Sequence, residues 1–108
     1  MAGIGEIGLS DQEINNIRLV FSTHTEIEKV ILYGSRAKGN YRPNSDIDLT
    51  IVGEGVDTLQ CFQIENELDD LLLPYTIDLS VFHQIDNPDL KDHIERCGRV
   101  FYVADRGE

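Results

Sequence analysis

From Asp46 to Ile51 the chain alternates at every step, "DIDLTI", with polar side chains at 46, 48 and 50 and apolar ones at 47, 49 and 51. Successive side chains of a strand leave on opposite sides, so this pattern predicts a strand with one buried face. Its neighbours in sequence limit what that strand can join. Upstream, "EKVILYG" predicts a short buried strand from Val30 to Tyr33, stopped by Gly34. Downstream, "YTIDLSVF" alternates again, with Thr76, Asp78 and Ser80 on one face and Ile77, Leu79 and Val81 on the other. "VFYVA" supplies a last strand.

Helical signals separate these strands. Ser10 followed by Glu13 predicts a capping box, and Ile14, Ile17, Val20 and Phe21 continue at helical spacing to about Ser22–His24. A brief helical turn after Ser35 leads into the turn-forming loop "GNYRPNS". Val56 to Leu73 reads as a second long helix, with Leu59, Phe62, Leu68, Leu71 and Leu72 as its apolar stripe and Pro74 ending it. "NPDLKDHIERCG" reads as a helix with Asn87 as N-cap, Pro88 at the first helical position and Gly98 as the stop. Helices alternating with strands imply an α/β architecture of α+β layers, a small β-sheet with helices packed on it.

The 108 residues suit one domain, expected over 10–104 after a loose lead-in at 1–9 and before a tail at 105–108. No apolar run approaches the roughly 20 residues that span a bilayer. The N-terminus has neither a basic n-region nor a long apolar h-region, so the expectation is a cytoplasmic protein without membrane contact. Cys61 and Cys97 lack metal-type spacing and read as reduced thiols. His24, His83 and His93 fall on different elements and read as surface or satisfied histidines. Tyr33, Tyr41 and Tyr75 read as packing residues rather than base-stacking ones.

A net charge of −11 argues against direct nucleic-acid binding, because a polyanion is repelled overall. The basic residues are unevenly spread: Arg36, Lys38 and Arg42 lie within seven residues, whereas Pro43 to Leu90 holds eleven Asp and Glu and no Lys or Arg. Asp46 and Asp48 project from one face of their strand roughly 7 Å apart. Two carboxylates that close favour a cation between them, and hard oxygen ligands select Mg²⁺ or Mn²⁺. Asp78, alone on the polar face of its strand, would join them if the two strands are neighbours. The turn at Gly34-Ser35, with Arg36 and Lys38 beside it, suits an anion such as a polyphosphate. A P-loop is excluded, since Asn40 and Tyr41 stand where Lys and Ser/Thr are needed.

Gly34-Ser35, ten intervening residues and then Asp46-Ile47-Asp48 resemble the signature of the DNA polymerase beta-type nucleotidyltransferase superfamily. The short length and "SDIDL" after "YGSRAKG" are most similar to its minimal nucleotidyltransferases (MNT). The resemblance implies a polymerase beta-like core with a small mixed sheet. It implies that Gly34 and Ser35 hold a nucleoside triphosphate, with Arg36 and Lys38 alongside. Asp46 and Asp48 would bind two divalent metals, Mg²⁺ or Mn²⁺, and Asp78 would complete the catalytic acids and help activate an acceptor hydroxyl. It further implies AMP transfer from ATP to a hydroxyl of a HEPN-type partner, the toxin of a toxin–antitoxin pair, and leaves homo- or hetero-oligomers open. Two other readings stand beside it: a non-catalytic, nucleotide-binding or contact-only antitoxin subunit, and nucleotidyl transfer to a small molecule such as an antibiotic.

Overall fold

The computed structural model describes residues 7–104. The first six residues of the expected lead-in and the whole expected tail, 105–108, lie outside the described residues. Along the chain run α1 (Asp11–Ser22), β1 (Lys29–Tyr33), α2 (Ser35–Lys38), β2 (Ile47–Val52), α3 (Thr58–Asp69), β3 (Ile77–Val81), a 3-10 turn (Phe82–Gln84), α4 (Pro88–Cys97) and β4 (Arg99–Val103). The strands form one mixed sheet in the order β3-β2-β1-β4, parallel only between β2 and β3.

Local chemistry accounts for most element ends. The Ser10 hydroxyl accepts the Glu13 N–H at 3.1 Å while the Glu13 carboxylate accepts the Ser10 N–H at 2.9 Å, closing the capping box of α1. Asn87 caps α4 through the N–H groups of Asp89 and Leu90, with Pro88 at the first turn where its missing donor costs nothing. Ile14, Ile17 and Phe21 of α1 join Val30, Leu32, Ile47, Leu49, Ile51, Leu79 and Val81 in the core. Ile7, in the stretch expected to be loose, is 1% exposed and belongs to that core.

The expectation for α3 needs correction in extent and in phase. The helix begins at Thr58, where the Asp57 carboxylate accepts the Gln60 N–H at 2.8 Å, and ends at Asp69 rather than Leu73. Leu72 takes a left-handed conformation with φ 57°, which a continuing helix does not allow. The buried stripe is Cys61, Ile64 and Leu68, whereas Leu59, Phe62 and Leu72 are 66%, 58% and 87% exposed. Of the expected stripe, Leu68 is buried and Leu71 packs partly against the core, while Leu59 and Phe62, with Leu72 beyond the helix, face outward.

Two sides of the sheet follow from the registers. Partners across a ladder share a face, so Tyr33, Asp48 and Asp78 form one row across β1, β2 and β3. Ile31, Thr50 and Ser80 form the next row on the same face. The end of α4 lies over Ile31, where a side chain at Gly98 would run into its Cγ2 atom. The opposite face is the buried core. The sheet thus presents its acids away from the apolar layer.

Candidate active site

Asp48 and Asp78 are register partners on adjacent parallel strands, and Asp46 lies immediately before β2. The condition set by the sequence, that β3 neighbour β2, is met by the sheet order. Asp46 and Asp78 are exposed, and Asp48 is half-buried between them. Burial pushes the Asp48 carboxyl above its ordinary range, and the charges of Asp78 and Asp46 push it further. Burial also raises the Tyr33 phenol, partly opposed by hydrogen bonding with Ser80, with Asp78 and Asp48 adding to the rise. This corner of the sheet therefore favours a cation.

Gly34 ends β1 with φ 77°, a conformation that costs a side chain dearly, and a Cβ there would collide with the Asp48 carboxylate. The backbone of the Gly34-Ser35 turn consequently runs directly beside Asp48. The helical turn α2 starts here, and the first amides of any helix have no acceptor within it. Ala37, 3% exposed, anchors the turn from below, and Lys38 is exposed at its end.

Arg36, expected beside the nucleotide with Lys38, is placed differently. It is 1% exposed, with its guanidinium turned into the protein. It donates to the carbonyls of Ile7 at 2.8 Å, Ser45 at 2.8 and 3.2 Å, and Pro43 at 3.4 Å. The rings of Tyr41 and Tyr75 sit 5.1 and 5.0 Å from its charged carbon, as packing residues. Because Ser45 directly precedes Asp46, Arg36 fastens α2 to the entry of β2. Sequence reasoning missed this role, because Tyr75 and Ile7, which help enclose the guanidinium, are far from Arg36 in sequence.

Thr50 was also missed. It is 0% exposed, and its hydroxyl accepts from Ser80 at 2.9 Å, tying β2 to β3 one row behind the acids. The histidines satisfy local needs: His24 pairs with Glu67 at 2.8 Å, and His83 meets the Val56 carbonyl at 3.0 Å. Among the described residues, no group of three His, Cys, Asp or Glu stands close enough to hold a metal ion by itself. The acids fit Mg²⁺ in another way. That ion is usually held by one or two carboxylates plus substrate phosphates and waters, and Asp48 with its neighbours offers hard oxygen beside the turn suited to phosphate.

A sheet of this order, with a glycine turn and paired acids at one corner, is the architecture of nucleotidyl transfer. The Polymerase beta, Nucleotidyltransferase family model matches residues 15–107, and the chain belongs to that family. No curated protein matches the sequence. Among solved structures, a toxin–antitoxin with AMP-PNP is similar with a TM-score of 0.68 and 18% identity, over 91% of this chain and 77% of that chain. The toxin–antitoxin MntA-HepT gives 0.66 and 16%, over 88% and 74%. A tri-AMPylated Shewanella oneidensis HEPN toxin in complex with MNT antitoxin gives 0.66 and 15%, over 89% and 74%. At these identities the likeness is one of fold. Among the described residues, no helix is long and apolar enough to cross a membrane.

Proposed function

We propose that this protein is a divalent-metal-dependent adenylyltransferase that moves AMP from ATP to a hydroxyl of a HEPN-type partner protein, acting as the antitoxin of the pair. The observation that carries the reading is the row Asp48–Asp78 with Asp46 beside it, set against the Gly34-Ser35 turn. The neighbours' bound AMP-PNP and AMPylated toxin support the choice of nucleotide and acceptor class.

Gly34 and Ser35 bind the triphosphate through turn amides and the Ser35 hydroxyl, and Lys38 adds charge at the rim. Asp46 and Asp48 would hold Mg²⁺ or Mn²⁺, which would offset phosphate charge and make the acceptor hydroxyl easier to deprotonate. Asp78 orients the acceptor hydroxyl and takes its proton. The acceptor oxygen forms a bond to the α-phosphorus, the bond from that phosphorus to the bridging oxygen breaks, and pyrophosphate leaves. Arg36 acts from outside the contact shell, holding the α2 turn and the Asp46 backbone in one unit. Two ions and one nucleotide per chain are the expected stoichiometry.

The test is label transfer. Protein, Mg²⁺ and ATP labelled at the α-phosphate are mixed with an extract of the source cells. Label on one small protein, lost with Asp46→Asn/Asp48→Asn, is the expected result. Equal labelling by the double variant would remove the acids from catalysis. Tight ATP binding that ignores Mg²⁺, without transfer, would instead make the chain a binding subunit.

A further inference from the structure

β3 is the outermost strand on the acid side of the sheet. The Ile47 N–H donates to the Thr76 carbonyl at 2.9 Å, so in this parallel ladder Thr76, Asp78 and Ser80 direct their backbone groups to β2. Ile77, Leu79 and Val81 therefore direct theirs outward, away from β2. There the Leu79 carbonyl meets the Cys61 thiol at 4.0 Å, a weak contact. Two clefts lie along this edge. One of about 250 Å³ is lined by Cys61, Phe62, Glu65, Leu79 and Ile85 among others, and one of about 240 Å³ by Glu65, Leu68, Asp69 and Ile77 among others. Glu65 lines both, so they follow one another along the strand. Phe62 stands 58% exposed at the first cleft.

We infer that this edge seats an extended segment of the acceptor protein, basic and with an apolar anchor, which adds to β3 as a further strand and presents its hydroxyl from the residue opposite Asp78. The inference rests on the transferase reading and names how its acceptor is held. An added strand continues the alternation of faces, so the residue opposite Asp78 projects beside it, with Cβ atoms about 4.5–5.5 Å apart. The row Tyr33–Asp48–Asp78 then gains a fourth member, and a hydroxyl there lies on the same face as the acids. Residues on either side of it turn toward α3, where Phe62 takes an apolar side chain and Glu65 and Asp69 take cationic ones. No Lys or Arg occurs between Pro43 and Leu90 to neutralise those acids from within this stretch. A second copy of this chain, itself carrying −11, is disfavoured as occupant, and so is a nucleic acid.

The probe is the capped peptide Val-Lys-Tyr-Val-Thr-Lys, whose two Lys and second Val all turn toward α3, compared with its counterpart carrying Glu for both Lys. Amide exchange at Ile77, Leu79 and Val81 is followed without nucleotide, in the wild type, Phe62→Asp and Glu65→Lys. These two side chains lie outside the core, and circular dichroism checks that both variants are folded. The basic peptide should slow exchange at those three amides by at least about tenfold. The acidic peptide should not, Phe62→Asp should abolish the effect, and Glu65→Lys should reverse the charge preference. No protection, protection confined to other amides, or equal binding of both peptides overturns the inference. The two readings fail separately. A peptide that docks here but is never labelled by ATP leaves the docking edge standing and counts against adenylyl transfer. Equal labelling of the peptide tyrosine by wild type and Phe62→Asp does the reverse.

Discussion

Replacing Arg36 by methionine keeps most of the side-chain volume and removes the guanidinium that binds three carbonyls. The loss can be bounded from the contacts. Three short bonds, to Ile7 and twice to Ser45, lie between 2.8 and 3.2 Å. Charge-assisted bonds of this kind contribute about 1.5–3 kcal/mol each net. The stacking on Tyr41 and Tyr75 adds about 0.5–2 kcal/mol per ring. Against these stands the cost of burying the charge, several kcal/mol, which the methionine no longer incurs. The Ile7 and Ser45 carbonyls, however, lose partners in a dry place. A net loss of about 3 kcal/mol is the balance, and at about 4–8 °C per kcal/mol for a domain near this size the midpoint falls by about 12–24 °C. Arg36→Lys should lie between, since one ammonium cannot span carbonyls from both sides of the loop. Thermal unfolding by far-ultraviolet circular dichroism, without nucleotide, reads all three proteins. A midpoint for Arg36→Met within about 4 °C of wild type would refute the idea that the guanidinium holds this corner together.

Three further outcomes follow from the same geometry. Gly34→Ala should cost about 1–3 kcal/mol through its positive φ and lower turnover more than ATP affinity, because the added methyl displaces the Asp48 carboxylate; thermal unfolding and transfer kinetics read the two effects. Burial raises the Cys61 thiol to about 11, with Glu65 adding to the rise, so at pH 8 iodoacetamide should modify exposed Cys97 and leave Cys61 intact in a peptide map. Asp48 has a folded-state pKa above its unfolded value, so the fold binds its proton more tightly and this group's contribution falls as pH rises through the carboxylate range. In metal-free buffer at pH 7, Asp48→Asn should therefore raise the midpoint, while in Mg²⁺ buffer it should lose the transfer that the wild type shows.

How much of this was legible beforehand differs by element. Caps are local chemistry, so Ser10 with Glu13 and Asn87 with Pro88 mark their helix starts in sequence as in structure. Strand alternation likewise marked which of 46–51 and 76–81 would face the core. The α3 stripe was legible only in part: Leu68 is buried and Leu71 packs on the core as expected, but Cys61 and Ile64 face inward in place of Leu59 and Phe62, because helical spacing alone does not choose between adjacent stripes. The pairing of β3 with β2, which brings Asp78 to Asp48, depends on tertiary packing and could be stated only as a condition. Arg36 shows the same limit from another side: a cation in a basic cluster looks solvent-facing until the loop that encloses it, from Tyr41 to Ser45, is folded.

The central claim is that the acids and the nucleotide complete one metal site together. Electron paramagnetic resonance of Mn²⁺, titrated with the protein in the presence and absence of a non-hydrolysable ATP analogue, tests it most directly. The expected result is weak Mn²⁺ binding alone, strong binding once the analogue is present, and loss of that gain in Asp48→Asn. Equal analogue affinity in wild type and Asp48→Asn, unchanged by removing all divalent metal, would contradict it.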